Sequence, residues 1–163
     1  MKKIIIHWSA GGYYPCAHDK NYYHFLVDKD GKTYKGVFRP EANINCIKGK
    51  YAMHTGGGNT GAIGVSMCAM YGFRNKNSVG SYPITPKQFE ACMKLCAELC
   101  KKYDIPVTSD TVMTHYEFGL KHPNTTSAGK IDIIYLPPYP WVDQRDIGSF
   151  IRSKIKWYKQ KGE

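Results

Sequence analysis

No stretch of this chain is apolar for long enough to cross a bilayer. The longest early run, Ile4-Ile5-Ile6, falls far short of the ~18 residues a spanning helix needs. It is also too short for the core of a secretory signal peptide, and no small-residue cleavage site follows it. The expectation is a mature protein that starts at Met1 and does not leave by the usual secretory route. Two compact signatures of zinc sites, His-Glu-x-x-His and Cys-x-x-Cys, are absent. Acidic residues are scarce: 13 Asp and Glu against 23 Lys and Arg leave a net charge of +10. That surplus favours a polyanionic partner, whether nucleic acid, an anionic membrane face or an acidic cell-wall polymer. No nucleic-acid-binding motif accompanies the charge, so no specific nucleic acid is expected. Repeats, linkers and low-complexity tracts are missing too. With 42% hydrophobic and 22% charged residues, the chain is neither disordered nor collagen-like. Its 163 residues read as one domain, 1–163, large enough to bury roughly 70% of the surface its unfolded chain exposes.

What is present reads as a single α/β domain with a central mixed β-sheet flanked by helices. Lys3 to His7 is a short buried strand, followed by a loop from Ser9 to Asn21. Tyr22 to Val27 and Thr33 to Val37 are strands joined by an Asp-Gly turn at Asp30-Gly31. Ala62 to Met70 is a third long strand, after the loop Gly56-Gly57-Gly58. Thr85-Pro86-Lys87-Gln88 starts a helix: Thr caps, Pro takes the first position, and Gln closes a capping box. Phe89, Cys92, Cys96, Leu99 and Tyr103 then share a helix face. Cys92, Cys96 and Cys100 recur every four residues and read as small core hydrophobes. All six cysteines fit a reducing compartment. Val112 to Thr114 is a short strand, and Glu117 to Tyr139 is mostly loop. The last helix, about 143–159, buries Ile147, Phe150, Ile151, Ile155 and Tyr158. Its other face is basic, a solvated surface that also offers peripheral contact with an anionic membrane.

Six histidines are the main chemical resource: 7, 18, 24, 54, 115 and 122. His7 and His115 each end a strand, where sites collect in α/β sheets. A catalytic zinc takes three protein ligands and keeps one position open. His7, His115 and one carboxylate or thiolate meet that need. His24 follows Tyr23 in a strand and faces the other way, off the metal. His18 has no assigned role. Glu117 is either a partner that orients His115 or a helix-start carboxylate.

The words around these residues are informative in their order. They run Ile-Ile-Ile-His7-Trp, then Tyr23-His24-Phe25 with Asp30-Gly31, then His54-Thr-Gly-Gly-Gly-Asn59. Next come Ile63-Gly64-Val65, Thr114-His115-Tyr-Glu117 and Lys130-Ile-Asp132. Over roughly 3–135 the chain resembles the zinc-dependent N-acetylmuramoyl-L-alanine amidases. That family comprises type 2 amidases, amidase-type phage lysozymes and peptidoglycan recognition proteins. The resemblance implies Zn2+ held by His7, His115 and Asp132, with His122 the rival for the third place. It implies that Tyr23 positions the attacking water and that Lys130 stabilises the oxyanion. His54 and Asn59 match positions lining the substrate groove. Where some members carry a catalytic Glu on the long strand, this chain has Ser66, which groups it with the Tyr/Lys members and leaves Tyr23 as the candidate base. The helix that members carry between His7 and Tyr23 is expected to be missing or shortened.

The implied function is hydrolysis of the amide between the muramic lactyl group and L-alanine of peptidoglycan. The expected setting is a monomeric phage or prophage endolysin, held in the bacterial cytoplasm until it reaches the wall. The alternatives are a muropeptide-binding module without catalysis and a cytoplasmic amidase recycling anhydro-muropeptides.

Overall fold

Three consecutive isoleucines open the chain, and they seed the middle of a sheet. The computed structural model describes residues 1–162. Strand β1 (Lys3–Trp8) is followed by helix α1 (Ala17–Tyr22), strands β2 (Phe25–Val27), β3 (Thr33–Lys35) and β4 (Ala62–Met67), and helix α2 (Pro86–Lys102). Strand β5 (Val112–Thr114) and helices α3 (His115–Lys121) and α4 (Ile147–Lys161) complete the order. The five-stranded sheet runs β3-β2-β4-β1-β5. β1, β2, β4 and β5 are parallel, and β3 alone is antiparallel, so the sheet is mixed as expected. No described helix is long and apolar enough to cross a membrane.

Strand alternation divides the buried residues between the two faces of the sheet. Ile4, Ile6 and Trp8 of β1 join Ile63, Val65 and Met67 of β4 in one large core. Helices α2 and α4 cover that face with Phe89, Cys92, Met93, Cys96, Ile151 and Ile155. The three cysteines of α2 are fully buried, as small core hydrophobes should be. Thr85 caps α2 through a bond from Gln88 N (3.1 Å), and Gln88 Oε1 accepts from Thr85 N (3.2 Å). Gln88 Nε2 also donates to Val27 O and Cys68 O, both at 2.9 Å, and so pins the helix start to the sheet. On the opposite face a smaller cluster of Ile5, Ala62, Met113 and Phe118 leaves room for polar residues.

Several boundaries differ from expectation: β3 ends at Lys35 and not at Val37, and the last helix starts at Ile147, after a separate 3-10 turn at Gln144–Asp146, and not at about 143. A short α1 stands inside the expected loop, where Asp19 Oδ2 accepts from Cys16 N (3.2 Å) to start the turn. Tyr23 ends that helix in an extended conformation, so β2 begins at Phe25 and not at Tyr22. Strand β4 stops at Met67, and the bond from Met70 N to Tyr82 O (2.7 Å) belongs to the next loop. Helix α3 occupies the start of the expected loop after His115. Its capping box, Thr114 with Glu117, was written in the sequence at seven-residue scale, too short to show helical period.

Candidate active site

The second face of the sheet carries His7, placed there because it alternates with Ile6 and Trp8. It is wholly buried. His115 is the first residue of α3, directly after β5. Both stand at the C-terminal ends of parallel strands, where α/β sheets place their ligands. Asp132 comes from the loop after α3 and closes the group. Its Oδ2 lies 3.0 Å from His7 Nδ1 and 3.4 Å from His115 Nδ1. The three donor atoms all lie within 4.8 Å of one another.

Two devices aim these side chains. Glu117 Oε1 accepts from Thr114 N and from Arg152 Nη1, both at 3.0 Å, so α4 braces the start of α3 beneath His115. The helix-start role is thus the one Glu117 fills. Next to Asp132, Ile133 sits at φ +69° with its side chain buried in the large core. A β-branched residue pays roughly 1–3 kcal/mol for that conformation. The turn lets Ile133 face the core while Asp132 faces the histidines.

The proton positions follow from the hydrogen-bond network. Ala62 O can only accept, so His54 Nε2–H donates to it (3.1 Å) and His54 Nδ1 is left as an acceptor. Thr55 Oγ1–H donates to that nitrogen (2.7 Å), and His7 Nε2–H donates to Thr55 Oγ1 (3.3 Å). Likewise Ser127 Oγ–H donates to Gly56 O (2.7 Å) and accepts from His115 Nε2–H (2.9 Å). Each imidazole, fixed through its Nε2, turns its Nδ1 towards the Asp132 carboxylate, and the three donor atoms frame a small gap. Burial pushes the His7 imidazole down to about 4, against the pull of Asp132, which disfavours filling the gap with a second proton. Burial alone would raise the Asp132 carboxyl, but hydrogen bonds from His115 and His7 hold it well below the usual range. Two imidazoles and a carboxylate, each imidazole fixed through its other nitrogen, are donors of the kind that could hold a metal ion with a position left open.

These residues border a cleft of about 430 Å³ that Tyr23, His54, Lys130, Met53 and Thr126 also line. The Tyr23 ring lies 5.1 Å from that of His7. Burial, with Asp132 nearby, pushes its hydroxyl well above the ordinary range, so it stays protonated. Lys130 is exposed at the rim. His54 lies against Gly64, where any Cβ would overlap its ring, so only glycine fits. Asn59 is not among the cleft-lining residues; its Oδ1 accepts from Thr55 N (2.8 Å) and steadies the loop that carries Thr55. His122 is exposed, with its ring 4.3 Å from Phe118, and stands outside the group of His7, His115 and Asp132. His24 is buried apart from the group, bonded to Asn43 Oδ1 (2.9 Å) and accepting from Gly64 N (3.0 Å). Thr55 and Ser127, which orient the two histidines, had no distinguishing mark in the sequence. Their only signal is proximity in space.

A family model described as N-acetylmuramoyl-L-alanine amidase matches residues 1–131. The chain belongs to this amidase family. The match stops one residue short of Asp132, so within this amidase-family chain the third donor rests on geometry. Among solved structures, the amidase AmiD from E. coli is 18% identical, with a TM-score of 0.57 over 91% of this chain and 58% of that one. Drosophila peptidoglycan recognition protein SD is 14% identical, with a TM-score of 0.50 over 77% and 74%. The amidase LysC from Clostridium intestinale is 21% identical, with a TM-score of 0.48 over 70% and 69%. At the identities of AmiD and of the recognition protein the likeness is one of fold. No curated protein matches the amidase-family chain in sequence.

Proposed function

We propose that the chain is a zinc-dependent N-acetylmuramoyl-L-alanine amidase that cuts peptidoglycan between the muramic lactyl group and L-alanine. The observation that carries this reading is the convergence of His7 Nδ1, His115 Nδ1 and Asp132 Oδ2. When bound there, zinc supplies a Lewis acid and lowers the pKa of water towards ~7. The rest is the work of the chain. His7 and His115 arrive with their Nδ1 atoms already aimed, because Thr55 and Ser127 hold their other nitrogens. Tyr23, kept protonated by burial, donates a hydrogen bond that orients the attacking water, a role its high pKa suits better than that of base. Lys130 brings an ammonium from the rim to the oxygen on which negative charge develops. His54 and Asn59 shape the groove, His54 at its wall and Asn59 through the loop behind it.

The substrate is an acidic polymer, and the chain's +10 charge suits it. The biological setting we favour is a monomeric phage or prophage endolysin. The AmiD structure contains anhydro-N-acetylmuramic acid-L-Ala-D-gamma-Glu-L-Lys, which makes a soluble muropeptide the second substrate to try. The test is a digest of purified peptidoglycan with and without a chelator, read by mass spectrometry. Free stem peptides with an exposed L-alanine amine, lost on chelation and restored by zinc, are expected. Wall and muropeptide both left intact by a zinc-loaded protein would overturn the enzymatic reading and leave a binding module.

A further inference from the structure

A cleft of about 430 Å³ has the volume of a small-molecule site, so a polymer must extend beyond it. A second groove, of about 590 Å³, lies on the far side of the segment that carries Asp132. Asp132 lines the cleft and Ile134 lines the groove; two residues of chain span at most ~7 Å, so the two depressions share a wall. They share a second one through Trp8, which lines the cleft and packs its ring 5.0 Å from that of Phe73 in the groove.

The groove combines aromatic and basic chemistry. Phe73 and Tyr135 lie nearly parallel, with 16° between their planes. Trp141 is 75% exposed at the end of a Pro137-Pro138-Tyr139-Pro140 run whose prolines restrict the backbone. Arg74 and Lys76 stand exposed on one wall. On the other, Gln144 Nε2 donates to the Tyr116 hydroxyl (3.0 Å). Asp143, the one carboxylate of the groove, faces Arg145 Nε at 3.6 Å. The wall from Ile134 to Gln144 lies outside the family match, which ends at residue 131.

We propose that this groove binds the glycan strand of the polymer whose amide is cut in the cleft. The inference rests on the amidase reading for the identity of that polymer. An exposed indole on a stiff backbone loses little entropy on binding and offers an apolar face to the C–H side of a pyranose, whose hydroxyls stay in water. Arg74 and Lys76 face the carboxylates that the polymer bears on its stem peptides and, after cleavage, on its lactyl groups.

The probe is a tetramer of N-acetylglucosamine, which has no stem peptide and no lactyl amide to cut. Titrated into the protein and followed by calorimetry, which needs no tryptophan reporter, it is expected to bind saturably. Trp141→Ala, at an exposed position, is expected to lose that binding, and Trp141→Phe to keep part of it. On intact wall Trp141→Ala should raise KM about tenfold, the equivalent of ~1.4 kcal/mol, while kcat holds. No tetramer binding, equal binding by Trp141→Ala, or displacement of the tetramer by a free stem peptide would overturn the proposal. Because binding needs no turnover, an inactive protein that still holds the tetramer through Trp141 would fail the amidase reading and keep the groove.

Discussion

Strand β1 presents alternate residues to two different environments. Ile4, Ile6 and Trp8 enter a core filled by α2 and α4, where volume and apolarity decide what fits. Ile5 and His7 point the other way, into a face where single atoms are aimed. The first face tolerates exchange among residues of similar size. On the second, His7 has to present one nitrogen to Asp132 and the other to Thr55. The same strand therefore fills a core with one set of side chains and meets aimed polar partners with the other. Substitutions on the two faces should separate stability from chemistry.

The sharpest separation comes from His7→Ala. Losing one of three donors is expected to remove zinc binding and cut activity by ~10³-fold or more, since the lost Lewis acid is worth several kcal/mol in the transition state. Circular dichroism should still show a folded chain. Phe89→Ala, on the other face, should do the reverse. Deleting a fully buried ring costs about 3–5 kcal/mol of stability. Below its lowered melting point the variant should bind zinc as the parent does, which a titration on both proteins checks.

A finer break is Thr55→Val, which keeps the shape and removes one of the two acceptors 3.3 Å from His7 Nε2, leaving His54 Nδ1. Metal affinity should fall about 10–100-fold, the scale of losing an orienting partner of a ligand. An unchanged affinity would mean that packing and His54 hold the ring without Thr55. The smallest effect belongs to Glu90, which ties α2 to α4 and to the segment before it. Its carboxylate accepts from Tyr158 (2.6 Å) and Tyr139 (2.7 Å) and pairs with Lys154 (3.2 Å). Burial would raise its pKa, but these partners lower it below the ordinary 4.5. A carboxyl depressed in the folded state adds stability above its unfolded value and loses it as pH falls through the folded one. Glu90→Gln should therefore cost about 1–2 kcal/mol at pH 7, discounted for partial exposure. That difference should close in unfolding curves taken below pH 4.5.

The contrast between the faces also explains what could be read from the chain before its structure. The apolar face repeats itself, so period exposes it: Phe89, Cys92 and Cys96 mark the buried side of α2, and Thr85 with Gln88 marks its start. The hairpin turn at Asp28 to Gly31 was legible for a similar reason, since Asp28 Oδ1 accepts from Asp30 N (2.9 Å) and Lys32 N (3.0 Å) within one local loop. Helices α1 and α3 are six and seven residues long, too short for a period to show. The site face has no period at all. His7 and Asp132 stand 125 residues apart, and only the order of several short motifs linked them beforehand. Thr55 and Ser127 lie beyond even that, because a threonine or serine that orients a histidine carries no local pattern. The turn at Ile133 was hidden too, since a β-branched residue gives no warning of positive φ.

Two pinned imidazoles and a carboxylate leave a gap suited to a cation. Calorimetric titration of zinc into the metal-free protein tests this directly, with His7→Ala as the comparison. One ion per chain, lost in His7→Ala, is the expected result. A parent protein that takes up no zinc, or a variant that takes it up equally well, would contradict the account.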